Sequence, residues 1–191
     1  MLLWITFGIV LIALMTEQSG FKLLGNNKAH ILILGSMPSV VSLEKQQYYG
    51  HSRNAFWQIM AALYNDGKPV DYQQGQQLLQ AQRIAVWDVL KSCVRQGSLD
   101  SAIEKESVII NDFDSLFATF SQIKYVFFNG GMAESLYKKY VFQTLAPEYK
   151  ALSYTKLPST SPAYAAMSYK DKLAAWSELK TLCRADFSPP V

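Results

Sequence analysis

Four short apolar stretches, each cut off by residues that stop regular structure, constrain this chain more than anything else in it. Ile31-Leu-Ile-Leu34 halts at Gly35-Ser-Met-Pro38, and Ile84-Ala-Val-Trp-Asp-Val89 carries Asp88 near its outgoing end. Tyr125-Val-Phe-Phe128 opens into Asn129-Gly-Gly131, and a stretch reaching Leu157 ends in Pro158-Ser-Thr-Ser-Pro162. Short, continuous apolar runs are what strands buried on both faces require. The proline-rich cluster cannot continue a helix or a central strand. Strands are therefore predicted over 30–34, 83–89, 124–128 and 149–157. Between them, apolar residues recur at three- and four-residue steps, as in Phe56, Trp57, Met60 and Leu63. This predicts helices over 53–64, 72–80, 114–120, 132–140 and 168–183, with a loop at 95–98. Alternating strands and helices make an α/β domain around a parallel sheet. Ligands of such sheets collect at the carboxyl ends of the strands, so Gly35, Asp88, Asn129 and Pro158 are expected along one edge.

The bulk properties narrow the options less. A chain of 191 residues, half of them hydrophobic and 17% charged, is long enough for one domain with a substantial core and too apolar for disorder. A net charge of +3 permits contact with a phosphate backbone without demanding it. Cys93 and Cys183 form no disulfide framework and read as reduced packing residues. His30 and His51 with these cysteines give no metal-ligand spacing, so neither zinc nor an iron–sulfur cluster, nor any other cofactor, is expected. The domain is expected over 29–185, with an apolar extension over 1–28 and a tail over 186–191.

Met1 to Met15 is nearly all apolar and carries no charge. It lacks the basic start and small-residue cleavage site of a secretory signal, and it is short of the about 20 apolar residues of a transmembrane helix. A start at Met15 is one reading and a weak membrane anchor another. The protein is expected in the cytoplasm.

Gly35-Ser36-Met37-Pro38, the later Leu157-Pro158-Ser159, and the string Gly50-His-Ser-Arg-Asn-Ala-Phe-Trp57 between them resemble the uracil-DNA glycosylase superfamily, in particular its hypoxanthine-DNA glycosylase branch. The resemblance runs from about His30 to about Glu178. It implies a single three-layer α/β/α domain with a mostly parallel four-stranded sheet. It also implies cleavage, by water, of the bond between a deaminated base and its sugar, the base being hypoxanthine or, as a second candidate, uracil. The partner is then DNA carrying such a base, bound by a monomer.

A glycosylase must turn its base out of the stack into a closed pocket and break the glycosidic bond through an oxocarbenium-like transition state. Tyr49 and Phe56, with Tyr48, are candidates for the ring that stacks on the base. Gly35, Ser36, Met37 and Pro38 form the first wall. Many superfamily members carry an acid or amide at the third position of this motif; Met37 offers only a thioether, which cannot act as a base. Asn54 is the candidate replacement, either as a water holder or as a reader of a purine edge, against the plainer role of capping its own helix. His51 and Arg53 beside it are candidates for base departure and phosphate binding. Asp88 and Asn129 are candidates for reading the base edge. Ser159, Thr160 and Ser161 are expected on flanking phosphates, Pro158 and Pro162 as the residues that stiffen their loop, and Tyr164 as a wedge filling the vacated stack. The plain alternatives are core packing for Phe56, a structural cap for Asp88 and a turn for Asn129. No lysine in these motifs suggests strand cleavage. A non-catalytic nucleic-acid-binding module is the competing function. A serine hydrolase of nucleosides or esters is weaker, because no Gly-x-Ser-x-Gly elbow occurs.

Overall fold

The computed structural model describes residues 17–187; Met1 to Met15 and the end of the expected tail lie outside them. Four parallel strands form the central sheet: β2 (Ile31–Gly35), β3 (Ile84–Asp88), β6 (Tyr125–Asn129) and β7 (Ser153–Leu157), in the order β3-β2-β6-β7. The chain leaves β2 to one side for β3 and then crosses back to β6 on the other. The strand order therefore reverses between β2 and β6, and the crevice beyond their carboxyl ends is the natural ligand position.

Period-2 alternation sends the central side chains to two separate cores. Ile31, Ile33, Ile84, Val86 and Phe127 pack on Phe56, Ile59 and Met60 of α2 (Phe56–Tyr64) and Leu79 of α3 (Tyr72–Ala81). Trp176 of α7 (Tyr169–Trp176) and Leu179 of α8 (Glu178–Phe187) close that face. Leu32, Leu34, Ala85, Val126 and Phe128 face α4 (Phe113–Thr119) and α5 (Gly131–Tyr140), meeting Phe113, Phe117 and Tyr137. This is the three-layer α/β/α arrangement, with parallel strands buried on both faces as their unbroken apolar runs require.

Several boundaries shift for local reasons. The helix expected from Arg53 starts at Phe56, because Asn54 Oδ1 accepts the Phe56 N–H (3.0 Å) and His51 Nδ1 accepts the Arg53 N–H (3.1 Å), which makes the preceding residues a turn. The strand expected from Tyr149 begins at Ser153. Pro147, at a first helical position, sets up the short α6 (Pro147–Lys150) before it. The single helix expected over 168–183 breaks at Ser177, whose hydroxyl donates to the Ala174 carbonyl (2.6 Å) and competes with the helical ladder. The short α1 (Val40–Lys45), capped by Ser39, was not legible behind Pro38.

The largest correction concerns the N-terminal extension. From Glu17 onward it belongs to the packed domain. β1 (Glu17–Ser19) pairs antiparallel with β4 (Leu90–Val94), which also pairs with β5 (Ile109–Ile110) in a second, three-stranded sheet. Leu24 bridges to Val86, Trp87 Nε1 donates to the Phe21 carbonyl (3.1 Å), and the Phe21 ring meets Tyr48 edge-on. Among the described residues, no helix is long and apolar enough to cross a membrane.

Candidate active site at the strand ends

Gly35 closes β2 in register with Asp88 at the end of β3. A Cβ on Gly35 would lie 2.5 Å from Asp88 Oδ1 and 3.6 Å from the Tyr49 hydroxyl, so only glycine lets both side chains cross the strand end here. On the other side, Asn129 closes β6 in register with Leu157. Gly130 follows at φ +102°, and a Cβ there would meet Ser159 at 2.9 Å. The chain therefore turns sharply beneath the second loop. Asn129 holds that loop directly: Nδ2 donates to Thr160 Oγ1 and Oδ1 accepts the Thr160 N–H, both at 2.8 Å. The Thr160 carbonyl accepts the Ala55 N–H (3.0 Å), which ties the loop to the start of α2.

Gly35–Pro38 and Ser159–Ser161 thus face each other across one cavity of about 100 Å³, with Tyr49, Asn54, Asp88 and Asn129 completing its walls. This is well below the about 300–1,000 Å³ of sites for drug-sized ligands; it suits one small flat ring system. An adjoining groove runs over Asp100, Gly130, Gly131 and Ser161 to Tyr164.

Tyr49 forms a flat wall. Its ring stacks on Phe56 with centroids 4.0 Å apart at 26°. Its φ of +55° lies in the left-handed region, which costs a tyrosine on the order of 1–3 kcal/mol and is typical of residues held for function. Among the described residues, its buried hydroxyl has no hydrogen-bond partner. Burial, then the Asp88 charge, raises the phenol well above its ordinary value, while Asn129 opposes the rise.

Asp88 is almost completely enclosed, and its Oδ2 has no partner. Burial pushes its carboxyl up to about 7, helped by the charge of Asp100 and opposed by Tyr48 and Arg95. Asp100 is also raised by burial, with Ser36 and Arg95 opposing. Ser36 Oγ donates to both Asp100 oxygens, at 2.8 and 2.9 Å. The buried Arg95 guanidinium donates to the Pro38 carbonyl (2.6 Å) and to Gln18 Oε1 (2.7 Å), and lies 3.5 Å from Asp100 Oδ1. Burying an arginine requires such full pairing, and here the pairing fixes the end of the first loop.

Of the residues singled out from sequence, Gly35, Ser36, Met37, Pro38, Tyr48, Tyr49, Asn54, Asp88, Asn129, Ser159, Thr160 and Ser161 meet at this cavity. Asn54 divides its amide: the oxygen caps Phe56, as the plain reading had it, while its NH₂ finds no acceptor among the described residues. Ser159 and Ser161 accept backbone N–H groups of their own loop, from Ser161 and Ala163, and so keep their O–H hydrogens to donate.

Five residues stand elsewhere, among them Arg53, which is exposed and not part of the cavity wall. Phe56 is fully buried, backing Tyr49 and meeting Trp176 edge-on, so it supports the platform rather than forming it. Pro158 lends its carbonyl to Trp176 Nε1 (2.9 Å) and anchors the loop from behind. His51 accepts the Arg53 N–H and is not part of the cavity wall. Tyr164 lies in the adjoining groove, 39% exposed, with Lys172 Nζ 5.2 Å from its ring centroid. Thr160 is 1% exposed, with its hydroxyl oxygen accepting from Asn129; it anchors its loop instead of reaching for phosphate. Arg95 and Asp100 were missed. Arg95 opens the predicted loop at 95–98 and Asp100 lies just beyond it, after a strand, β4, that the sequence pattern left unassigned.

A model of the uracil DNA glycosylase superfamily matches residues 23–180. The chain is 32% identical over 164 residues to the hypoxanthine DNA glycosylase of Methanosarcina barkeri, covering 85% of this chain and 97% of that one. It is 38% identical over 117 residues to the Methanosarcina acetivorans protein of the same name, covering 61% of this chain and 73% of that one. The solution NMR structure of a Methanosarcina acetivorans protein assigned as a uracil DNA glycosylase superposes with a TM-score of 0.73 at 31% identity, covering 88% of this chain and 99% of that one. Matched motifs, paired loops and common fold agree: the chain belongs to the uracil DNA glycosylase superfamily.

Proposed function

We propose that this protein is a monofunctional DNA glycosylase that hydrolyses the N-glycosidic bond of hypoxanthine, with uracil as a second substrate, after the base is turned out of DNA. The observation that carries the reading is the pairing of the two loops, 35–38 and 159–161, across a cavity sized for one base. A base entering it would stack on Tyr49, a contact worth about 1–3 kcal/mol. The buried Asp88 carboxyl, free at Oδ2, faces the edge of that base. A purine such as hypoxanthine offers ring and carbonyl acceptors along with an N–H donor, and a carboxyl titrating near 7 matches either kind.

The free NH₂ of Asn54 is placed to hold a water or a base acceptor. The Ser159 and Ser161 hydroxyls donate to phosphates flanking the extruded nucleotide. Tyr164, with exposed Leu99 and Met132, borders the groove leading away from the cavity, where apolar side chains serve as wedges in an opened base stack. No lysine lines the cavity among the described residues, so water rather than an amine is the nucleophile and the strand stays intact. The protein works as a monomer in the cytoplasm, without metal or cofactor.

Duplex oligonucleotides carrying hypoxanthine, uracil, xanthine or a thymine mismatch test this reading. An alkali-labile site at hypoxanthine, with no nick before alkali, is the expected result. Tight binding to the same duplexes with no base released from any of them would instead identify a non-catalytic binding module.

A further inference from the structure

We propose that Asp100 supplies, from outside the first loop, the carboxylate that takes a proton from the attacking water. This role rests on the glycosylase reading above. Hydrolysis needs a water aligned on the sugar carbon and a group to accept its proton. The first loop has no such group in Met37. Ser36, one residue earlier, instead brings Asp100 to that loop, donating to both of its oxygens at 2.8 and 2.9 Å.

Two observations separate Asp100 from an ordinary ion-pair partner. Arg95 already has the acceptors Gln18 Oε1, the Pro38 carbonyl at 2.6 Å and the Ser98 carbonyl at 3.4 Å; Asp100, at 3.5 Å, is its longest contact. The carboxylate is thus positioned mainly by the serine of the first loop. Its side chain is also 30% exposed, and it borders both the cavity and the groove leading to Tyr164. It sits at the mouth, where the sugar of a nucleotide whose base fills the cavity must lie. Asp88 is deeper and enclosed. One carboxyl faces the base and the other faces the sugar.

In the step itself, the water oxygen bonds to the sugar C1′ as the C1′–N bond breaks and its electron pair leaves on the base nitrogen. One water hydrogen stays on the new sugar hydroxyl. The other passes to Asp100 and then to solvent, while the departing base takes up one proton, so charge and atoms balance. The titratable and charged groups facing Asp100 are Arg95, beyond the end of β4, Cys93 within β4, and Asp88, at the end of β3.

Single-turnover excision from a hypoxanthine duplex, with duplex affinity measured in parallel, tests this role. Asp100→Asn keeps an acceptor for Ser36 and Arg95, so the fold is expected to hold. The rate should fall about 10²- to 10⁴-fold, the usual span for loss of a general base, with affinity changed less than about threefold. Asp100→Ala should fall as far and recover in part with added formate. The wild-type rate should decline as pH drops through the Asp100 titration, and this limb should vanish in Asp100→Asn. An Asp100→Asn enzyme within threefold of wild type, or one that retains the acid limb, overturns the role of Asp100 while leaving the glycosylase intact. If Asp100→Asn does not fold, Asp100→Ala without formate rescue overturns it equally. A wild-type protein inactive on every base defeats the parent reading instead.

Discussion

Asn129 grips Thr160 by both ends of its amide, donating to the hydroxyl and accepting the backbone N–H, each at 2.8 Å. These two bonds make Asn129 the residue that positions the second loop, with one N–H and one lone pair of its amide left over at the cavity wall. Asn129→Ala should therefore destabilise the fold by about 1–3 kcal/mol, the cost of stranding buried partners. Thr160→Val removes one of the same two bonds. In a double-mutant cycle the two changes should fall short of additivity by at least about 0.5 kcal/mol. Additive effects in thermal melts would mean that the loop is held by other contacts.

Gly35 is the point where two site residues pass closest to backbone. Gly35→Ala puts a methyl group 2.5 Å from Asp88 Oδ1, which must move. Displacing a catalytic-site group by about 1 Å costs on the order of 10²-fold in rate. Excision should drop by about that much while the circular dichroism spectrum stays native. Undiminished activity would remove Asp88 from the chemistry.

What could be read from sequence follows from how locally each feature is encoded. The central strands were legible because burial on both faces writes itself as unbroken apolar residues, and the loops because glycine and proline stop such runs. β4 was not: only Val89 separates it from β3, and its five residues carry no stop signal of their own that marks them as a second strand. Losing β4 hid its partner β1, and with it Arg95, whose pairing with Gln18 spans 77 positions. Phe56 illustrates the opposite limit. Its type suited a stacking platform, but sequence cannot say which of two stacked rings faces the cavity. Tyr49 takes that place at the price of a left-handed backbone that no pattern announces.

Tyr49 separates packing from recognition. Its hydroxyl has no hydrogen-bond partner, so Tyr49→Phe should leave stability unchanged or slightly higher. Any fall in excision by that variant then reports a contact between the hydroxyl and the base. Tyr49→Ala removes the ring and should weaken productive binding by about 1–3 kcal/mol, roughly 5- to 150-fold. Equal activity of Tyr49→Ala and wild type would eliminate the stacking platform.

The Asp88 carboxyl makes a prediction about pH whose direction is fixed by linkage. Its ordinary value of 3.8 applies to the unfolded chain, and burial raises it to about 7 in the fold. Between these values the folded protein keeps a proton that the unfolded chain has released. Its contribution to stability is therefore complete below about pH 4 and is lost as pH rises through about 7, by an amount on the order of 4 kcal/mol. Asp100, also raised, acts in the same sense. Asp112 and Glu134 are lowered by Ser115 and Lys138 respectively, so the stability they contribute is present throughout this range and is lost only in acid, below the ordinary carboxylate range. The melting temperature should thus be higher at pH 5.5 than at pH 8, and Asp88→Asn, which never ionises, should lose most of that difference and be the more stable protein at pH 8. The same variant retains an N–H donor, so its excision of hypoxanthine should decline less steeply above pH 7 than that of wild type. Superimposable pH–stability curves for the two proteins would show that Asp88 ionises freely in the fold, and its place as a proton-bearing reader of the base would fall with it.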